Sequence, residues 1–205
     1  MNTDSTEAVW EESAKELLAE LEWRPVTGDA IAPGSGERTS WEELAIPGRL
    51  LDALRRLNPG VPNEQLLQAC EEILVPRSTD AVTENLRAHE WLTGGYRMTY
   101  TDELGVEQSP TLRVVSAEPS DNDYMVANQV TVRRPEGRRR FDLVLYCNGL
   151  PVAIIELKRA GDSHADVAAA HAQLQTYLRE YPLAFRFCVL TVISDGVVAR
   201  YGTPF

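Results

Sequence analysis

The segment Phe141 to Lys158, FDLVLYCNGLPVAIIELK, constrains the fold more than any other part of the sequence. Two apolar runs of strand length flank Asn148 and Gly149, a pair that favours the tight turn of a β-hairpin. Buried apolar strands rarely hold a charge, yet this hairpin carries Asp142 in its first strand and ends its second in Glu156 and Lys158. The last two lie two residues apart and so face the same way. Whether Asp142 joins them depends on register. A two-residue loop pairs Cys147 with Leu150 and sets Asp142 opposite Ile155, away from Glu156. A three-residue loop, Asn148 to Leu150, pairs Cys147 with Pro151 and sets Asp142 across from Glu156. The odd-length loop is the expectation, because Pro151 lacks an N–H and suits the first position of a strand.

Two carboxylates and an ammonium meeting at a sheet surface suit Mg²⁺, a hard cation that keeps several waters and binds through one or two carboxylates plus a substrate phosphate. Asp142 and Glu156 are the expected ligands, helped by the Leu157 backbone carbonyl. Lys158 is expected to orient the attacking water or to stabilise charge developing on a phosphorane-like transition state. The reaction implied is cleavage of a phosphodiester. As a bare tripeptide, Glu156-Leu157-Lys158 also reads as a surface ion pair at a strand end, worth well under ~1 kcal/mol. Against that, only two of the 20 basic residues are lysine, and one stands two places after this glutamate. A point-like ammonium is not interchangeable with guanidinium where proton position matters.

Around the hairpin, residues 1–95 read as mainly helical. Glu7 to Glu22, Trp41 to Leu57, Asn63 to Leu74 and Asp80 to Trp91 carry apolar residues at helical spacing, and a breaker-rich loop separates the first two at Thr27 to Ser40. In the first helix Trp10, Ala14, Leu17, Leu18 and Leu21 form the apolar stripe. Glu7 and Glu11 lie on the same side, an odd place for carboxylates unless they face a polar site. Residues 110–205 read as the sheet-bearing part. Short β-branched runs span Leu112 to Ser116, Tyr124 to Val132, Phe141 to Tyr146, Val152 to Leu157 and Phe187 to Ile193, interrupted by one helix, Ser163 to Glu180. That order predicts one α/β domain over 1–205, an open sheet with helices packed on it.

The net charge of −11 and pI near 4.8 argue against a whole-surface nucleic-acid binder, since DNA affinity rests on cations that neutralise phosphates. The basic residues are unevenly placed, however. Arg133, Arg134, Arg138, Arg139 and Arg140 crowd before Asp142, and Lys158 with Arg159 follow Glu156. Phosphate contacts are expected from Arg138, Arg139, Arg140 and Arg159, with no base-reading module. Cys70, Cys147 and Cys188 form no CxxC pair, so neither a disulfide framework nor a zinc cage is indicated. The acidic N-terminus lacks a signal peptide's basic flank and apolar stretch, and no apolar run approaches membrane-spanning length. A cytoplasmic protein with no membrane contact is the expectation. No GxxxxGK[ST] phosphate loop occurs, so ATP hydrolysis is not encoded in these residues.

Asp142 with Glu156-Leu157-Lys158 matches the D…EXK core of PD-(D/E)XK nucleases. With QLQTY and VISDGVVARYG downstream, the segment resembles the N-terminal endonuclease region of type I restriction enzyme R subunits, the DNA-translocating subunits. The match is strongest from Tyr124 to Gly202 and looser in the helical half, where LAELEWRPVTG and ENLRAHEWLTGG are similar to the family. The resemblance implies a PD-(D/E)XK fold, a central mixed sheet flanked by helices, and Mg²⁺-dependent cleavage of double-stranded DNA. It also implies a fragment of a larger subunit whose motor domains use ATP, working beside methylation and specificity subunits. Gln173 and Tyr177 fit the family's QxxxY motif, which by the resemblance supports the nuclease site and its interaction with DNA, and at this spacing they share a helix face. The family's helical glutamate near the metal corresponds to Glu11, with Glu7 second. Two departures stand out. Phe141 replaces the proline of the nominal motif, and Glu22 replaces a glycine, so the turn after the first helix is expected to differ. Two other readings stay open: a nuclease-fold module that docks partner subunits without cutting, against which the intact Asp142, Glu156 and Lys158 argue, and a nuclease of another defence or repair system.

Overall fold

In the computed structural model, which describes residues 4–135, 137–158, 167–195 and 198–205, the chain is mixed α/β, with five α-helices and a mixed central sheet among the described residues. Helix α1 (Asp4–Glu20) leads into strand β1 (Arg24–Thr27) and a 3-10 turn at Gly28–Ile31. Three helices follow, α2 (Pro47–Leu57), α3 (Asn63–Leu74) and α4 (Ala81–Gly94). Four two-residue strands, β2 (Tyr96–Arg97), β3 (Tyr100–Thr101), β4 (Glu107–Gln108) and β5 (Thr111–Leu112), pair β2 with β5 and β3 with β4. The long strands β6 (Tyr124–Arg134), β7 (Gly137–Cys147) and β8 (Leu150–Leu157) precede α5 (Val167–Glu180), β9 (Leu190–Ser194) and β10 (Ala199–Gly202).

The main sheet runs β1-β6-β7-β8-β9-β10. The β1–β6 and β8–β9 pairs are parallel and the rest antiparallel. Strand β7 is buried from Leu143 to Cys147, which explains its unbroken apolar run. Parallel neighbours need a crossover connection, and α5 lies in the one joining β8 to β9. On one face its Ala170, Leu174, Tyr177 and Leu178 pack with Phe141, Val144, Tyr146 and Ile154. On the other, Trp10, Ala14 and Leu18 of α1 pack with Val126, Leu143, Leu145, Ala153 and Leu157. Helices α2 to α4 and the small hairpins form a third cluster, which reaches Leu150 at the turn of the β7–β8 hairpin. No helix among the described residues is long and apolar enough to cross a membrane.

Several expectations are corrected. The helix expected from Trp41 starts at Pro47, because proline disfavours helical backbone in the residue before it. Ile46 is extended and donates its N–H to the Gly149 carbonyl at 2.8 Å. The α1 stripe is narrower than its spacing predicts, with Leu17 and Leu21 exposed at 63% and 69%. Strands β1 and β10 join the sheet although neither carries a strand pattern. The start of the expected Ser163 helix lies outside the described residues. After α1, Glu22 keeps the left-handed backbone a glycine would favour, with φ 67°. The Trp23 N–H donates to the Leu18 carbonyl and the Glu22 N–H to that of Ala19, both at 3.0 Å, the two bonds of a Schellman cap.

The hairpin loop has two residues, not three. Asn148 and Gly149 are both left-handed, with φ 51° and 79°, the geometry of a type I′ turn. Cys147 pairs with Leu150, and Tyr146 with Pro151. The pair flanking such a turn exchanges both hydrogen bonds and the next pair exchanges none, so Pro151 needs no N–H toward β7. The Asn148 side chain is buried, donating to the Val114 carbonyl at 2.9 Å and accepting the Asp123 N–H at 2.8 Å. Register then slips at Val152: Leu145 pairs with Ala153 and Leu143 with Ile155. One extra residue on β8, a β-bulge, thus carries Asp142 to the position across from Glu156.

Candidate active site

The β7–β8 ladder stops at Leu143–Ile155. Beyond it β7 stays on β6 as far as the Gly137–Arg134 pair, while β8 stays on β9 to the Leu157–Ser194 pair. The Lys158 N–H extends the second arm, donating to the Ser194 carbonyl at 2.7 Å. The two central strands therefore part at Asp142 and Glu156. Asp142 Oδ2 accepts the Leu157 N–H at 2.8 Å, so a side chain serves a donor that the parted ladder no longer serves.

Glu156, with 0% of its surface exposed, faces the α5 side of this fork. Its Oε1 lies 3.1 Å from Lys158 Nζ and also accepts from Gln173 Nε2. Gln173 reaches the Tyr177 hydroxyl at 2.6 Å, and that hydroxyl donates to the Arg140 carbonyl at 3.5 Å. The Tyr177 ring meets Phe141 edge-on, with centroids 5.2 Å apart, so the residue at the nominal proline position helps to seat α5. The second Glu156 oxygen, Oε2, is buried without a hydrogen-bond partner. Burial, and then the Asp142 carboxylate beside it, push the Glu156 carboxyl well above the usual range, against the pull of Lys158. Burial and then Glu156 push the Tyr177 hydroxyl up to about 12, which keeps it a neutral donor.

Glu11 reaches the same fork from α1, on the opposite face of the sheet. It is buried and accepts from Asn128 Nδ2 at 3.4 Å and from Gln129 Nε2. Burial and then Asp142 raise its carboxyl, while the two amides and Arg140 lower it. The structure therefore brings Asp142, Glu156, Lys158, Gln173, Tyr177 and Glu11 together. The Glu7 side chain and Arg159 lie outside the described residues. Asn128 and Gln129 belong to no motif. Their one signal in the sequence is a pair of consecutive carboxamides breaking the β-rich run of β6.

Of the arginines, Arg138 and Arg140 are exposed and alternate onto one side of β7. Arg139 turns the other way and grips the Glu180 carboxylate through Nε and Nη2 at 2.7 and 2.9 Å. Arg133 lies over the Trp41 ring at 3.9 Å.

Among the described residues no group of three or more His, Cys, Asp or Glu side chains forms a cage for a metal. The fork offers instead two adjoining carboxylates, one carboxylate oxygen with no donor, and the Leu157 backbone beside them. Such hard oxygen donors fit Mg²⁺, which completes its shell with water and substrate phosphate. A cation would also relieve the mutual repulsion of the two carboxylates.

Residues 4–205 match the family described as type I restriction enzyme R protein N terminus. The chain is 29% identical over 197 residues to the endonuclease subunit of the type I restriction enzyme HindI of Haemophilus influenzae, covering 94% of this chain. It is 27% identical over 200 residues, 96% of its length, to the MjaIXP type I endonuclease subunit of Methanocaldococcus jannaschii. A type I endonuclease subunit of Staphylococcus aureus is 37% identical over 81 residues, 39% of this chain and 8% of that protein. The chain spans 19% of the length of each of the first two relatives.

Proposed function

The chain belongs to the family of type I restriction enzyme R protein N-termini, and from that membership we propose that it is a Mg²⁺-dependent endonuclease domain of PD-(D/E)XK fold that cleaves double-stranded DNA within a type I restriction complex. The observation that carries this reading is the buried, unpartnered Glu156 Oε2 beside Asp142, at a strand fork that also holds the Lys158 ammonium. A protein has little reason to keep a fully buried carboxylate against a second, half-buried one except to hold a cation or a proton.

Asp142, Glu156 and the Leu157 carbonyl would hold the ion. Bound there, Mg²⁺ supplies Lewis-acid polarisation of the scissile phosphate and lowers the pKa of a water. Lys158 orients the nucleophilic water or meets the charge that develops on phosphate oxygens. Gln173 fixes Glu156 Oε1 and is itself braced by Tyr177, so α5 sets the carboxylate's orientation. Glu11 adds negative charge from the α1 side. Arg138 and Arg140 supply phosphate contacts, and Arg139, expected among them, chiefly braces α5 through Glu180. ATP-driven motor domains, methylation and specificity subunits, and a cytoplasmic setting belong to the same reading, and sequence choice lies with those subunits.

The test uses the full-length subunit assembled with its partners on plasmid DNA. Asp142→Ala and Lys158→Ala should each lower Mg²⁺-dependent cleavage by at least ~100-fold while leaving DNA binding and ATP-driven translocation intact. Normal cutting by either variant would refute the assignment.

A further inference from the structure

Strand β6 carries an anomaly directly opposite Asp142. Its register with β7 runs through Asn128–Leu143 and Val130–Phe141, which places Gln129 against Asp142. Gln129 has φ 58°, the left-handed region that a residue with a Cβ adopts only under constraint. The kink reverses the side-chain alternation. Met125 and Ala127 before it, and Val130 and Val132 after it, all join the cluster on the α5 face, with two residues rather than one between Ala127 and Val130. Asn128 and Gln129 consequently both reach the α1 side, where their amides donate to Glu11. The neighbouring chain is fitted to the kink: a Cβ on Gly28 would lie 2.4 Å from the Gln129 carbonyl oxygen. Strained backbone of this kind persists where the surroundings over-determine it, commonly at functional sites.

We propose that Gln129 is a positioning residue for the cation: the left-handed kink aims its amide at Glu11 and holds that carboxylate in place beside Asp142. The inference rests on the cation site proposed above and adds to it a residue outside the D…EXK and QxxxY motifs. An unkinked β6 would alternate Gln129 onto the α5 face and leave Glu11, buried on the α1 side, with one long hydrogen bond from Asn128. Partners that orient a carboxylate near a metal commonly govern affinity by roughly 10- to 100-fold.

The discriminating variant is Gln129→Gly, which removes the amide and at the same time suits the left-handed backbone. Mn²⁺ binding to the full chain is measured by titration calorimetry, beside the melting temperature of the metal-free protein. The wild type should bind Mn²⁺, and Glu156→Gln should abolish that binding. Gln129→Gly should bind about 10- to 100-fold more weakly with a metal-free melting temperature equal to or above that of the wild type. In a Glu11→Gln background the same change should cost little further affinity. Unchanged affinity in Gln129→Gly, an equal loss in the Glu11→Gln background, or a lowered metal-free melting temperature would each overturn the role given to Gln129 while leaving the cation site standing. Wild-type chain with no Mn²⁺ binding, or with binding insensitive to Glu156→Gln, would sink the cation site and this role together.

Discussion

Glu156 presents one oxygen to Lys158 and Gln173 and leaves the other without a donor, so a negative charge on it is poorly compensated by the side chains around it. Its carboxyl is held above the ordinary value of 4.5 by burial first and by Asp142 second. The folded protein therefore grips this proton more tightly than the unfolded chain does. The stabilisation that comes with the proton is fully present below the unfolded value near 4.5 and is lost as the pH rises through the elevated folded value. Glu156→Gln keeps an acceptor for Lys158 and Gln173 and removes the charge. It should raise the metal-free melting temperature at pH 7.5 by roughly 2–6 °C, about 1–2 kcal/mol, and the gain should vanish near pH 4. Equal melting temperatures at pH 7.5 would contradict this account of Glu156. The shared face of Glu156 and Lys158 was legible from their two-residue spacing and that of Gln173 and Tyr177 from helical spacing, while the roles given to Gln173, Tyr177 and Glu11 came from the family resemblance. The face of Asp142 was not legible, because a bulge rather than the expected three-residue loop sets its register. Nor was Gln129, since its contribution depends on a backbone kink that no composition or period encodes.

Among the elements, the β7–β8 hairpin was legible in its strands and its Asn-Gly turn, whereas its register was not. Both loop lengths accommodate Pro151, and the bulge at Val152 that brings Asp142 across from Glu156 arises from pairing on both sides of β8. Strand β1 is four residues long, contains Pro25, and is fixed by its parallel partner β6, a contact far away in sequence. Helix α1 was readable from its period, and its end holds a local conflict. Glu22 occupies the left-handed position of the Schellman cap, where a side chain is strained and glycine is not. Glu22→Gly removes a left-handed cost of roughly 1–2 kcal/mol against an entropic cost of roughly 0.5–1 kcal/mol for glycine, so it should stabilise the protein by up to about 1 kcal/mol in urea or thermal unfolding. A loss of stability would mean that the Glu22 side chain makes a favourable interaction outweighing its backbone cost.

Taken as a whole, the molecule divides its tasks along the β7–β8 hairpin. The α2–α4 lobe packs against the closed end, where Gly149 is fitted so closely that a Cβ would lie 2.5 Å from the Ile46 carbonyl oxygen. The site opens at the other end, roughly 17 Å away at five residues of strand, with α1 and α5 on either face. The net charge of −11 gives the whole surface little attraction for a polyanion, so the proposed DNA contact would have to come from the few arginines near the fork and from the larger assembly. The α/β class was legible from the order of helical and strand patterns, while the mixed sheet order follows from non-local pairings that such patterns leave open. The most direct measurement is anomalous scattering from a crystal of this chain soaked in Mn²⁺. A peak touching the Asp142 and Glu156 carboxylates and the Leu157 carbonyl oxygen is predicted; a fork left empty at saturating Mn²⁺, or filled only by the Lys158 ammonium, would contradict the account.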